Sequence, residues 1–191
     1  MGWVVVDNIL LTEQDPLVTA TQLVADSGGA LQAGDPRLEA AANGASAAVR
    51  RYCKWHVAPL RAENLVLDGK GGQRMALPSL HVVAVESVKL AGKELGASEF
   101  GWSEAGFLEL YGHRFPHRYR SVEIGLTHGF LSAPDLVAIA SQVARFALAS
   151  PMGRTREQAG QIAVSWGTAQ GMAWTESALS MMNPYRLGPL P

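Results

Sequence analysis

The sequence predicts an α+β fold: a small helical bundle carrying an inserted antiparallel β-sheet or partial barrel, followed by an extended C-terminal arm. Three observations lead there. Segments near residues 15–27, 36–56 and 134–150 repeat apolar side chains at the helical period, each with a proline at its start. Between about 63 and 130 the period falls to two and glycines punctuate the runs. Beyond about residue 152 neither period is sustained. The implied division is a core over residues 1–152 and an arm over 153–191.

The first helix is expected in "DPLVTATQLVADSGG", with Asp15 as N-cap, Pro16 in the first turn, and Gly28 and Gly29 as the stop. "DPRLEAAANGASAAVRRYCKWHVAP" repeats that opening at Asp35 and Pro36. There Leu38, Ala41, Ala45, Ala48, Val49 and Tyr52 share a face, and Pro59 prevents continuation. Arg50, Arg51 and Lys54 stand in the last turns, where cations suit the negative end of the helix dipole.

About six short strands follow. "NLVLDGKGGQRMAL" reads as strand, turn and strand, with Gly69, Gly71 and Gly72 expected at positive φ. "FGWSEAGFLELYG" reads as a hairpin turning at Ser103 to Gly106, and "YRSVEIGLTHGF" alternates Val122, Ile124 and Leu126 with polar or small residues. In "SAPDLVAIASQVARFALASP", Leu136, Ile139, Val143 and Phe146 or Ala147 are expected to form the buried stripe of the last long helix.

The arm is apolar without an evident core. Ile162, Val164 and Trp166 alternate as in an extended segment, and a short helix is expected from about Trp174 to Met182. Together with Met172, Met181, Tyr185 and Leu187, these side chains are costly to leave in water and are expected to dock on another chain.

Composition excludes several functions. The 191 residues are 48 % hydrophobic and 17 % charged, with a net charge of −1. A general polyanion binder would carry a basic excess. One cysteine excludes an internal disulfide and suits a reducing compartment. "MGWVVVDNILLTEQ" lacks the basic start of a signal peptide, and no apolar run reaches the roughly 20 residues that span a bilayer. The expectation is a soluble, cytosolic product with no membrane partner. Residues 1–35 contain five acids and no Lys or Arg, a balance of −5 that leaves +4 on the rest. Such asymmetry suits subunits that meet head to tail.

Three chemical readings compete with a purely structural one. Cys53 and His56, with His113 and His117, make a C-x2-H … H-x3-H spacing compatible with zinc, although Arg114 and Arg118 adjoin the histidines and would repel a dication. Cys53 with a histidine base would make a thiol enzyme, but no nucleophile turn or oxyanion motif surrounds it. "GHRFPHRYR" interleaves Arg114, Arg118 and Arg120 with Phe115 and Tyr119, as a small DNA-binding accessory protein would. "DGKGGQR" lacks the order of a phosphate loop.

The ordered set of motifs resembles head-to-tail adaptor (head–tail connector) proteins of tailed bacteriophages, particularly those of actinobacteria. Their A-S-x-x-V-R-x-Y-x-x-W-x-[IV]-x-P-like run is matched by Ala45, Ser46, Val49, Arg50, Tyr52, Trp55, Val57 and Pro59. "LPSLHVVAVESV", "FGWSEAGFLEL", "VEIGLTHGF" and "PDLVAIASQVARFALASPMG" resemble the strands and second long helix that follow, and "REQAGQIAVSW" and "LSMMNPYRL" the closing arm. The resemblance spans about residues 36–187, and residues 1–14 lie outside it.

It implies a virion neck protein without catalysis or cofactor. Such a protein forms a ring, typically twelvefold, between the portal and the next neck component (a stopper or head-closure protein), and double-stranded DNA passes through it. On that reading the apolar arm meets the portal or a neighbouring subunit. Arg50, Arg51, Lys54, Arg114, Arg118 and Arg120 would then supply inter-subunit or DNA-facing charge.

Overall fold

The computed structural model describes residues 15–149, 156–159, 162–165 and 174–188. Among the described residues, four α-helices and three antiparallel sheets build the expected α+β architecture, with the sheets open rather than closed into a barrel.

The helical layer consists of α1 (Ala20–Ala25), α2 (Arg37–Cys53), α3 (Pro134–Ala149) and α4 (Glu176–Met182). Helix α1 is shorter than expected because Thr19, not Asp15, caps it. Thr19 Oγ1 accepts from Gln22 N while Gln22 Oε1 accepts from Thr19 N, a reciprocal box three residues long. Ahead of α2, Asp35 does receive the Arg37 N–H at 2.9 Å and the Arg37 side chain at 2.7 Å. Those bonds hold its carboxyl down at about 2.

Helix α2 packs on α3 through small side chains, Ala42, Ala45 and Ser46 on one and Ala140 and Ala144 on the other. Ser46 Oγ donates to Ala42 O and accepts from Leu17 N, pinning the chain ahead of α1 to the middle of α2. On α3 the buried stripe runs through Leu136, Ile139, Ala140, Ala144 and Leu148. Phe146 and Ala147, the alternatives expected to complete that stripe, are both exposed, and Leu148 takes the place instead.

Seven strands form the insertion: β1 (Arg61–Lys70), β2 (Arg74–Ala76), β3 (Val82–Leu90), β4 (Lys93–Glu94), β5 (Phe100–Ser103), β6 (Phe107–Leu110) and β7 (His117–His128). They make two sheets, β1-β7-β3-β4 and β2-β6-β5. The Ser103–Gly106 hairpin forms as expected. The other expected pair does not, since β1 joins β7 while β2 joins β6. Leu77, Leu108, Leu110 and Phe115 then close over Val122, Ile124 and Leu126 as a second core. A third pair, β8 (Arg156–Ala159) with β9 (Ile162–Ser165), is the extended part of the arm.

Two glycines at crossings explain this arrangement. A Cβ on Gly106, at φ +85, would collide with the Ser79 carbonyl oxygen. Gly69 is not a positive-φ turn glycine: it sits in β1, where a Cβ would run into the Pro116 carbonyl oxygen. Of the three glycines expected at positive φ in this turn, Gly71 and Gly72 have it.

Candidate functional site

The segment that follows α2 is where the two layers meet. Helix α2 ends because Lys54 adopts a left-handed conformation at φ +67, and Val57 follows at φ +66. Two such residues would leave carbonyls stranded. Arg50 collects them. Its Nε donates to His56 O at 3.0 Å, and its Nη2 donates to Asp15 O and Ala58 O at 2.6 Å each. Burial brings its pKa down to about 10, with Arg61 adding to the shift. The expectation that Arg50 offers charge to a neighbour or to DNA is therefore corrected: its guanidinium is buried and bonded to its own backbone. Arg51 and Lys54 are exposed.

An aromatic wall joins the layers. Phe130 stacks on His81 at 4.6 Å and meets Trp55 and Tyr185 edge-on at 6.0 Å and 5.6 Å. His128, at the end of β7, lies 5.8 Å from His56 between ring centroids and donates through Nε2 to Glu63 Oε1 at 3.0 Å. Arg61 closes on the other Glu63 oxygen. His56 donates to the Pro59 carbonyl, and burial lowers its pKa to about 4.

The far part of the arm also belongs to this junction. Met182 is 0 % exposed and Leu187 is buried beside α2 and α3. Leu187 N donates to Cys53 O at 2.8 Å, Trp55 Nε1 to Tyr185 O at 2.7 Å, and Tyr52 Oη to Asn183 Oδ1 at 2.6 Å. Tyr185 Oη reaches Asp135 at 3.0 Å, and Trp174 meets Tyr52 edge-on at 6.3 Å. Met182 and Leu187 are thus sheltered by their own chain, which corrects the expectation that the whole arm needs a foreign cover. Trp174 and Tyr185 are partly buried against the same core, while Met181 is 48 % exposed. Ile162 and Val164 lie on β9, and Trp166 and Met172 lie outside the described residues.

The fold does not bring the proposed zinc ligands together. Cys53 and His56 stand at the helical end of β7, whereas His117 begins that strand. Twelve residues of strand put the two ends roughly 35 Å apart. His113 donates instead to Glu99 Oε1 at 2.6 Å. Burial drives the Cys53 thiol up to about 11, the wrong direction for a nucleophile. Among the described residues, no group of three or more His, Cys, Asp or Glu is placed to hold a metal ion, and no helix is long and apolar enough to cross a membrane.

At the far end of β7, Arg114, Arg118 and Arg120 are exposed together, with Tyr119 84 % exposed among them. Arg118 and Arg120 lie on β7 where it pairs with the end of β1.

No family model matches the chain, and no curated protein matches it. Solved structures do. A chain in the neck of a native gene transfer agent particle, determined with C12 symmetry, is 19 % identical and superposes with a TM-score of 0.58 over 87 % of this chain and 90 % of its own. One in the neck of an empty particle with C6 symmetry is 17 % identical, with a TM-score of 0.60 over 87 % and 88 %. One in the virion of the native gene transfer agent is 20 % identical, with a TM-score of 0.57 over 82 % and 79 %. At this identity the likeness shows a shared fold.

Proposed function

We propose that the chain is a structural adaptor of a phage-like neck, of the type found in tailed bacteriophages of actinobacteria. It forms a ring, twelvefold in the simplest case, that joins the portal at the head vertex to the next neck component, a stopper or head-closure protein. The ring surrounds the channel for double-stranded DNA, is assembled in the host cytoplasm, and performs no catalysis.

One observation carries this reading. The fold shared with gene transfer agent neck chains covers nearly the whole of both partners rather than a common fragment. Symmetric assembly of those particles favours self-association here, and a cyclic ring needs two different faces on each subunit. A thiol pushed away from ionisation and histidines engaged in the fold's own bonds support a structural role.

Within the arm, the proposed portal-docking part narrows to the segment around Ile162, Val164, Trp166 and Met172, with Trp174, Met181 and Tyr185 at its root. Native mass spectrometry of the chain mixed with its portal should give a complex with a fixed subunit ratio. Failure to associate in either order of mixing would contradict the proposal.

A further inference from the structure

The tip of the long sheet, on the side away from the helices, carries a net positive charge. Residues 61–128 contain eight Lys or Arg and eight Asp or Glu. Away from the tip the signs are matched: Arg61 pairs with Glu63, Arg74 with Glu109, and Lys89 faces Glu123 and Glu94 across the ladder. At the tip, Arg114, Arg118 and Arg120 are exposed with His117, three cations against the one acid beside them, Asp68, whose Oδ1 accepts the Arg120 N–H.

The tip is also held in a costly shape. Arg120 sits at φ +49, a region that opposes an L side chain by roughly 1–2 kcal/mol. Asp68 Oδ1 holds its N–H at 2.8 Å, and Ser121 Oγ donates to Arg118 O at 2.8 Å across the bulge between Leu67 and Gly69. Pro116 presses on Gly69 beneath, and Phe115 is buried with its N–H on Gly72 O at 2.9 Å. This frame fixes three guanidinium-bearing residues and an exposed phenol at the projecting end of the sheet. Strain of this kind persists where a fixed presentation is worth its cost.

We propose that this tip contacts the phosphate backbone of duplex DNA. The assignment rests on the neck reading, in which DNA passes the subunit. Three arginines against a single acid suit a row of phosphates better than an evenly mixed protein rim. Arginine's planar fork suits phosphate oxygens, and the Tyr119 hydroxyl can donate to another. In a closed ring equivalent tips lie at one height and repel one another, so a polyanion between them relieves that repulsion. The contact is weak and sequence-independent for one subunit and is multiplied by the ring.

Fluorescence anisotropy of the full chain with two short duplexes of unrelated sequence tests this. Equal binding to both is expected, with a loss of roughly 40-fold between about 50 and 200 mM salt if three phosphates are neutralised. The R114A/R118A/R120A variant should lose binding, and each single Ala change should lower the salt slope by about 1. The three Arg→Lys changes together should keep the slope. An unchanged thermal midpoint for the triple Ala variant secures its fold. No binding at about 50 mM salt, or equal binding by the triple Ala variant, overturns the proposal. So does a triple Ala variant that loses an acidic neck component while still binding DNA. Portal association, measured on the same samples, reports separately on the neck reading.

Discussion

At the scale of single residues, Arg50 decides how α2 can stop where it does. Three backbone carbonyls converge on one guanidinium inside the fold. Arg50→Met should cost at least about 2 kcal/mol in denaturant unfolding, because the stranded carbonyls keep their desolvation penalty. Arg50→Lys should recover little, since an ammonium cannot reproduce the planar fork. His56 sets a pH dependence. Its pKa falls from 6.5 in the unfolded chain to about 4 in the fold, so the unfolded state binds more protons between those values. Stability is therefore fully present above about pH 6.5 and declines as pH falls toward 4, by up to about 3 kcal/mol. Urea midpoints measured across that range should fall on acidification, and His56→Phe should flatten the decline. The sequence made the position of Arg50 visible but not its task, because a basic residue in a last helical turn ordinarily faces water. Only the left-handed Lys54 and Val57, which fold the exit back under the helix, turn it inward.

At the scale of elements, helices and strands followed from period and punctuation, while pairing did not. The Ser103–Gly106 hairpin is local and could be read directly. The β1–β7 pair joins residues 47 to 67 positions apart, and nothing in the run "DGKGGQR" announces that its turn separates two sheets. Gly69 and Gly106 are the positions that enforce this topology, and each tolerates no Cβ against a facing carbonyl. Gly106→Ala should cost more than the ordinary 1 kcal/mol or so of a turn glycine, because positive φ and collision act together. Its readout is the unfolding midpoint, with Gly44→Ala inside α2, where a Cβ meets nothing, as the comparison expected to raise the midpoint. Helix α4 gives the strongest case of distance defeating a local reading. Its apolar face looks unpartnered within its own segment, yet Met182 enters the core of α2 and α3, and Asn183, Tyr185 and Leu187 just after it bond to Tyr52, Trp55 and Cys53 some 130 positions earlier. Met182→Ala should cost about 2–4 kcal/mol, as for a fully buried methionine. A chain ended at Thr155 should lose the cooperative unfolding transition rather than remain a folded core.

At the scale of the whole molecule, two cores are joined by a polar and aromatic seam, and each end of the seam has a different outward face. The helical end offers the exposed Met181 and Phe146, and the sheet end offers the arginine tip. A subunit with two unlike ends suits a connecting piece. The most direct measurement is the stoichiometry of the complex this chain forms with its portal, by native mass spectrometry or imaging of the isolated neck. The account predicts a closed ring of identical subunits seated on the portal, lost when residues 160–172 are replaced by a neutral flexible linker while the fold is kept. A chain that stays apart from portal under every order of mixing, or a ring that survives that replacement with the same occupancy, would contradict it.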